Sequence, residues 1–585
     1  MIVKMKKISV ILEDKDIRPA LDGLAEAGVL HLHHQEIPGG EEMETLLEEY
    51  QRMATVISAL EQVRPRPLQE EGAHVKQMFI NVWTSLEEMK GHEEDIRELQ
   101  AQINRWEPWG TFDPHEIRAL EHNGIRVKLY AVPQEKLAGL PEDLAVETVF
   151  VADGIARLIV FSQKEINLEF EEIILPEHGL HQWLGLKERA QNQIRELQAF
   201  VLEAAKYIDV FKARLKRVES RIIYQQALTG RGVTEGFSVL QGYCPADQCN
   251  AFEHRARTEK WAYLIQEPGE EDYPPTLLRN PKWVRMIDPV MKMINVLPGY
   301  SENDVSAVFL VFFSVFFGIL IGDAGYGLIF ALATGWAHRV FGRTMARKEP
   351  FYLMYILSGM TVVWGVLTGT FFGQTLFPGI KPLVPWLNDA DNVQRLCFFI
   401  GALHLSIAHL WRAVLKWPSL AALAECGWLC LLWGMFFMAR VLVLGETMVQ
   451  GAIPLFFIGP LLVVFFTRPN RNPLKAIGGG LGDLVLNVVN TFTDIVSYIR
   501  LFAVGLATVA VADAFNVMAL GLGFDNIFIG FLTALILVAG HVFNMVLGAM
   551  AILVHGLRLN VLEFSSHMNL EWAGVKYTPF RKETG

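Results

Sequence analysis

The sequence predicts an α+β cytosolic dumbbell, two α/β lobes joined by an antiparallel coiled coil, followed by an all-α polytopic membrane domain of about eight helices, the last two long and tilted. Three observations predict this. Charge is unevenly divided: residues 1–300 carry 35 Lys+Arg against 48 Asp+Glu, whereas residues 301–585 carry 17 against 15 in a largely apolar sequence. Long stretches of the first part place apolar residues three or four apart among Glu, Arg and Gln. The second part is a succession of apolar runs close to the roughly 20 residues that a bilayer crossing requires.

In the first part, "KKISVILED" alternates apolar positions and "DIRPALDGLAEAGVLHLHH" reads as a helix and a short strand, a βαβ-like start. His31, His33 and His34 lack a carboxylate or cysteine at ligand spacing, so no metal site is expected. Amphipathic arms are expected over 41–108 and 178–228, pairing antiparallel. Between them, "GIRVKLYAVP" and "VETVFVADGIARLIVFSQKE" form a distal lobe over 109–176. "TEGFSVLQGYCP" and "KWAYLIQEP" return to strand patterns, so 1–40 and 230–275 make a proximal lobe within a domain spanning 1–300.

The opening residues resume their charges too early for a signal peptide, which places this domain in the cytosol. No Gly-rich loop with a following Lys-Ser/Thr pair occurs, so nucleotide cradling is not expected. The acidic balance argues against nucleic acid. Five cysteines show no zinc-like spacing and read as reduced packing residues. Neither a cofactor nor a catalytic constellation is expected.

Apolar segments run about 305–337, 351–376, 393–415, 420–443, 451–467, 481–517 and 525–562. Loop charge decides their direction. After the first segment, "HRVFGRTMARKEP" is strongly basic and expected on the cytosolic side, so that segment must enter and return. Gly322, Asp323 and Gly325 in "FGILIGDAGYG" suit a hairpin break. The transmembrane domain, 301–585, then crosses eight times. "FPGIKPLVPWLNDAD", "LGETMVQ" and "GLGFDN" fall outside, whereas "WRAVLKWP", "TRPNRNPLK" and the basic C-terminal tail fall inside.

The last two segments are the most polar. Arg500 lies deep in "DIVSYIRLFAVGLATVAVA", and a charge at a helix centre costs roughly 2.5–3.5 kcal/mol unless it faces protein or water. A salt bridge within the chain, for instance to Asp494, is the bland explanation, although six residues is a poor helical spacing for pairing. Periodicity puts Ser497 on the Arg500 face. Arg558 belongs to a stripe of Asn544, Gly548, Ala551, His555, Arg558 and Leu562, spaced three or four apart, whose small members admit another helix.

"SYIRLFAVGLA" and "LVHGLRLNVLEF" resemble the signature helices of the a subunit, or subunit I, of the V-type and archaeal/bacterial A-type rotary ATPases. "FGILIGDAGYGL", "GVLTGTFFG", "FFIGALHLSIAHL" and "PPTLLRNPKWVRMIDPVMKMINVLPGY" resemble further blocks of that family in the same order, and coverage is essentially the whole chain. The modest length and short loops resemble the prokaryotic form, in a plasma membrane.

The resemblance implies a non-catalytic stator subunit that couples H+ or Na+ translocation to ATP hydrolysis or synthesis. Its implied partners are a ring of c subunits, peripheral-stalk E/G-type heterodimers and a nearby central-stalk d/C-type subunit, besides membrane lipid. Arg500 and Arg558 match the arginines that meet the ring carboxylates. Asn490, Asp494, Ser497 and Asp513 on one helix, with His541, Asn544, His555 and Glu563 on the other, are candidate half-channel residues. The chain departs from many relatives in carrying Thr508 eight positions after the first arginine, Gly548 ten before the second, and "SENDVSA" before the membrane. Alternative readings are a stand-alone ion-coupled transporter and a membrane-anchored scaffold.

Overall fold

The computed structural model describes residues 1–585 except 62–72, 142–143, 153, 167, 235, 346, 375–381, 468–472, 524 and 583–585. Parts of the expected loops at 377–391, 467–475 and 521–526 therefore lie outside the described residues. The chain divides into two compact units: one of Met1–Ile8, Tyr243–Ala251 and Leu264–Pro579, the other of Ser9–Gly242, Phe252–Tyr263 and Phe580–Gly585.

The α/β part opens with β1 (Met5–Glu13), α1 (Ile17–Ala27) and β2 (His31–His33). Helices α2 (Glu41–Glu61), α3 (Ala73–Trp106) and α4 (Pro114–His122) precede β3 (Arg126–Pro133), β4 (Ala145–Ala152), β5 (Ile155–Ser162) and β6 (Glu171–Ile173). Then come α5 (Leu180–Ala204), α6 (Ile208–Thr229), β7 (Gly232–Thr234), β8 (Phe237–Pro245), α7 (Cys249–Thr258) and β9 (Ala262–Gln266). One sheet has the order β2-β8-β1-β9 with β7 beside β8; the other has the order β4-β5-β3-β6. The βαβ-like start is thus modified: β8, from the far end of the α/β part, inserts between β1 and β2.

Between the sheets each arm is two helices rather than one. Met43 of α2 packs with Ile222 of α6, and Leu60 with Phe211, so this pair runs antiparallel. Val82 of α3 meets Val201 of α5, and Trp106 stacks on Trp183 at 6.5 Å, so the second pair does too. Trp106 and Trp109 carry this seam onto Leu129 and Phe150 of the second sheet.

The remaining helices are α8 (Asp288–Met293), α9 (Ser306–Ile321), α10 (Ala324–Phe341), α11 (Glu349–Thr368), α12 (Ala390–Lys416), α13 (Ala421–Leu444), α14 (Leu455–Phe466), α15 (Pro473–Ser497), α16 (Ile499–Leu522), α17 (Ile527–Ala551) and α18 (Ser565–Met568). Among the described residues, five helices are long and apolar enough to cross a membrane, and two apolar helices are shorter. The chain is a multi-pass membrane protein. α9 is apolar all round and occupies the centre: Phe309, Phe313, Phe316 and Leu320 pack with Leu357 of α11, Phe398 and Leu405 of α12 and Leu501 of α16.

Glycines and one aspartate reverse the chain after α9. Gly322 takes a left-handed conformation (φ 70°) as the C-cap of α9, and Asp323 N-caps α10 by accepting from the Tyr326 N–H at 3.1 Å. The other carboxylate oxygen of Asp323 accepts from Gly373 N–H at 2.7 Å, tying the break to the segment after α11. A Cβ on Gly318 would lie 2.8 Å from the Met360 carbonyl, and one on Gly325 2.8 Å from the Phe372 ring. Further along, α10 stacks His338 on Phe351 at 4.7 Å, so it returns along α11 toward that helix's start.

At the tail, Thr276 N–H donates to the Val575 carbonyl and Tyr577 N–H to Thr276. Beyond them, Phe580 N–H donates to Leu30 and Lys582 N–H to Ala25, which places Arg581 and Lys582 in the α/β unit.

Two outcomes follow. A Cβ on Gly365 would come within 2.1 Å of the Ala324 backbone nitrogen, whereas one on Gly359 of the same helix meets open space. Gly365→Ala is therefore expected to destabilise the purified chain by about 3 kcal/mol and Gly359→Ala to shift it by under about 0.5 kcal/mol, read as melting temperature in detergent. Outside the spans, the Lys7 ammonium donates to Asp272 at 2.7 Å, with Gly269 N–H and the Tyr243 hydroxyl also donating. The Lys7 hydrogen bond first, then the other donors, hold the Asp272 carboxyl below its ordinary range against the opposing effect of burial. Its stabilisation is present above the unfolded value of about 3.9 and lost as pH falls through the lower folded value. The melting difference between wild type and Asp272→Asn should be full at pH 7 and shrink below about pH 4.

Candidate ion-translocation site

The two polar segments form the longest continuous helical spans, Leu484–Leu522 and Ile527–Met568, of 39 and 42 residues. At about 1.5 Å per residue each reaches about 60 Å, twice the roughly 30 Å hydrocarbon core. The first is interrupted at Tyr498, whose N–H donates to the Ile495 carbonyl and whose own carbonyl accepts from Leu501. The irregularity is held by packing. Tyr498 is fully buried, its ring pressed where a Cβ on Gly401 would meet it at 2.6 Å, and its hydroxyl lies 2.8 Å from His404 Nδ1. Arg500 emerges two residues later.

The second span leaves α-helical geometry where it nears Arg500. After α17 it makes π-helical turns at Ile552–Gly556 and Leu559–Phe564. Five residues on an α-helix sweep about 500°, which would put Arg558 and Glu563 on different faces. The wider i→i+5 turn brings them together. Arg558 Nε lies 3.3 Å from Glu563 Oε1, and Arg500 Nη2 lies 3.3 Å from the same oxygen. Arg500 also donates to Ser497 Oγ at 2.6 Å, one helical turn back. Glu563 is 3% exposed, while the Arg500 and Arg558 side chains are 24% and 52% exposed. Two cations thus share one buried carboxylate oxygen. Arg500 Nη1 and Glu563 Oε2 are buried with no hydrogen-bond partner among the described residues. Asp494 is not the partner of Arg500; it pairs with a histidine.

Toward one end of α16, Thr508 donates to the Leu320 carbonyl at 3.1 Å and Asn544 to the Thr508 carbonyl at 2.7 Å. The Tyr326 hydroxyl lies 2.8 Å from His541 Nδ1 and accepts from Asn544 at 3.0 Å; His541 Nε2 lies 3.1 Å from Asn516 Oδ1. A Cβ on Gly548 would sit 2.7 Å from the Ile321 side chain. Thr508 and Gly548 are therefore packing residues for the end of α9. The helix admitted by the small stripe is the chain's own.

Toward the other end, a second network is buried. His567 Nε2 lies 3.1 Å from Asp494 Oδ2, His567 Nδ1 lies 2.9 Å from His409 Nε2, and His409 Nδ1 lies 2.9 Å from Glu425 Oε2. Arg412 and Lys416 contact the other oxygen of Glu425. A cavity of about 330 Å³ adjoins it, lined by Asn487, Asn490, Thr491, Asp494 and His567 among others. Sequence reasoning missed His409, Glu425 and His567. The available signal is a glutamate, Glu425, inside an apolar helix.

Of the sequence candidates, Arg500, Arg558, Ser497 and Glu563 come together, with His555 within electrostatic reach of both arginines. Asn490 and Asp494 share the cavity, His541 and Asn544 share the Tyr326 cluster, and Asp513 stands exposed on α16.

Glu563→Gln leaves two guanidiniums facing a neutral amide. It should destabilise the chain by about 2 kcal/mol, discounted for the exposure of Arg558. Adding Arg558→Gln should recover part of the loss; thermal unfolding in detergent checks both.

No family model matches the chain. A "V-type ATP synthase subunit I 1" of Treponema pallidum is 30% identical over 627 aligned positions, covering 100% of each chain. A "V-type ATP synthase subunit I" of Borreliella burgdorferi is 29% identical over 611, again covering 100% of each. A solved cytoplasmic N-terminal domain of subunit I, homolog of subunit a, of V-ATPase aligns with 44% of this chain and 99% of its own at 18% identity, with a TM-score of 0.22, too low to bear on the fold. The full-length identity to the first relative is decisive: the chain belongs to the subunit I family of V-type and A-type ATP synthases.

Proposed function

We propose that this chain is the membrane stator subunit of a rotary V/A-type ATPase, non-catalytic itself, which couples H+ or Na+ movement to ATP hydrolysis or synthesis. Residues 1–300 form the cytosolic stator domain, engaging E/G-type peripheral stalks beside a d/C-type subunit, and residues 301–585 the translocating domain against a ring of c subunits. The N-terminal half and C-terminus face the cytosol of a prokaryotic plasma membrane.

The observation that carries the reading is the arithmetic of charge at the site. Arg500 and Arg558 contribute two positive charges and Glu563 one negative, so one positive charge is uncompensated in that cluster. A carboxylate arriving from a ring subunit supplies the missing anion. Opposite charges about 4 Å apart attract by roughly 4 kcal/mol at an effective dielectric near 20. That attraction favours the ionised acid and hence release of its bound cation. Arginine is required because it keeps its proton where a buried lysine can lose it. Glu563 holds both guanidiniums oriented between encounters, while the Arg500 side chain as a whole stays 24% exposed.

The polar clusters flank the arginine along the Leu484–Leu522 span. Asp494 precedes it by about 9 Å of helix rise and Thr508 follows by about 12 Å. Apolar packing separates them, as two half-channels with a charged divider require. The Asp494 side leads toward the basic end of α12, the cytosolic side by loop charge. In the reconstituted complex, Arg500→Ala should reduce ATP-driven ion uptake to background while the subunits still co-purify. Coupled transport surviving that substitution would overturn the reading.

A further inference from the structure

The array from Asp494 to Glu425 has a property that no local sequence pattern shows. Its three contacts, Asp494–His567, His567–His409 and His409–Glu425, are 3.1, 2.9 and 2.9 Å long. Each needs one proton between its heavy atoms. A neutral imidazole has one N–H and one acceptor nitrogen, so two histidines supply two protons for three bonds. The third must come from a protonated carboxyl or from a second N–H on one ring. When all three bonds are made, the array holds one proton more than two neutral imidazoles and two carboxylates.

That proton can shift along the array. With the Asp494 carboxyl donating to His567 Nε2, His567 Nδ1–H to His409 Nε2 and His409 Nδ1–H to Glu425, each proton can cross its own hydrogen bond. The net result is loss of one proton by Asp494 and gain of one by Glu425; the reverse shift restores the start. No other bond is made or broken. At one end Asp494, 22% exposed, lies on the cavity with Asn487 and Asn490. At the other, Glu425, itself 2% exposed, contacts Arg412 and Lys416, and the Lys416 side chain, 38% exposed, stands between it and the end of α12. His409 and His567 form the cavity wall between these ends. Ring nitrogens 2.9 Å apart leave no room for a sodium ion between them.

We propose that Asp494, His567, His409 and Glu425 form a proton relay, and that the ion this chain moves is H+ rather than Na+. The proposal rests on the ion-translocating reading above and adds the identity of the ion. Arg412 also donates to the His567 carbonyl at 2.9 Å, tying α12 to the backbone at His567.

The test uses the complete ATPase in liposomes. Wild type should acidify vesicles in sodium-free buffer, hydrolyse ATP at a rate indifferent to Na+, and pump more slowly in D2O. His409→Gln and His567→Gln retain a hydrogen-bonding side chain without the imidazole's two-nitrogen shuttle, and should lower proton uptake roughly tenfold or more. A sodium requirement for hydrolysis with accumulation of radioactive sodium would overturn the relay, as would wild-type proton pumping by both variants. Should either variant fail to assemble, the sodium and isotope measurements on wild type decide. Sodium pumping that still needs Arg500 would sink the relay and leave the subunit's role standing; pumping untouched by Arg500→Ala would sink the role itself.

Discussion

A single carboxylate oxygen shared by two guanidiniums organises the membrane part of this protein. Glu563 offsets part of the desolvation of Arg500 and Arg558, and it does so from a side chain only 4% exposed. A one-to-one pair would leave a closed, neutral unit; a two-to-one cluster stays positive. The excess charge is tolerable because both arginine side chains keep contact with the surface and because Ser497 satisfies part of Arg500.

The rest of the fold places that cluster. α9, buried along most of its length, is the post around which α11, α12 and α16 pack. Gly505 allows the Ile319 carbonyl to approach, a Cβ there lying 2.6 Å from that oxygen, and Gly548 performs the same service for Ile321. With α16 and α17 both seated on α9, the π turns rotate Arg558 and Glu563 onto the Arg500 side. The helix irregularities are thereby concentrated next to the charges, where departures from regular geometry commonly mark function.

Buried polarity is distributed with the same economy. The Tyr326, His541, Asn516 and Asn544 cluster and the Asp494-to-Glu425 array lie on opposite sides of Arg500 along the Leu484–Leu522 span. Each is internally hydrogen-bonded, as polar groups within an apolar bundle must be. Between them run the apolar contacts of Tyr498 and Leu501, so continuity from one cluster to the other passes the guanidinium rather than a polar chain.

Much of this was legible in residue order. Apolar runs and loop charge marked the spans, "GDAG" marked the break after α9, and an arginine deep in an apolar helix announced a partner. Periodicity also put Ser497 beside Arg500, since i and i+3 lie together on any α-helix. The identity of the buried partner was not legible, because Glu563 reaches Arg558 only through a π turn that the 3.6-residue repeat does not anticipate. Nor was the relay: His409 and His567 are 158 positions apart, and nothing near either names the other. Strand order shows the same limit, with β8 slipping between β1 and β2. Sequence alone determined which segments are helical, apolar and charged, because hydropathy and helical period are local properties. Only the tertiary structure decided which charges meet, because that depends on which helices touch and on where one of them abandons its regular turn.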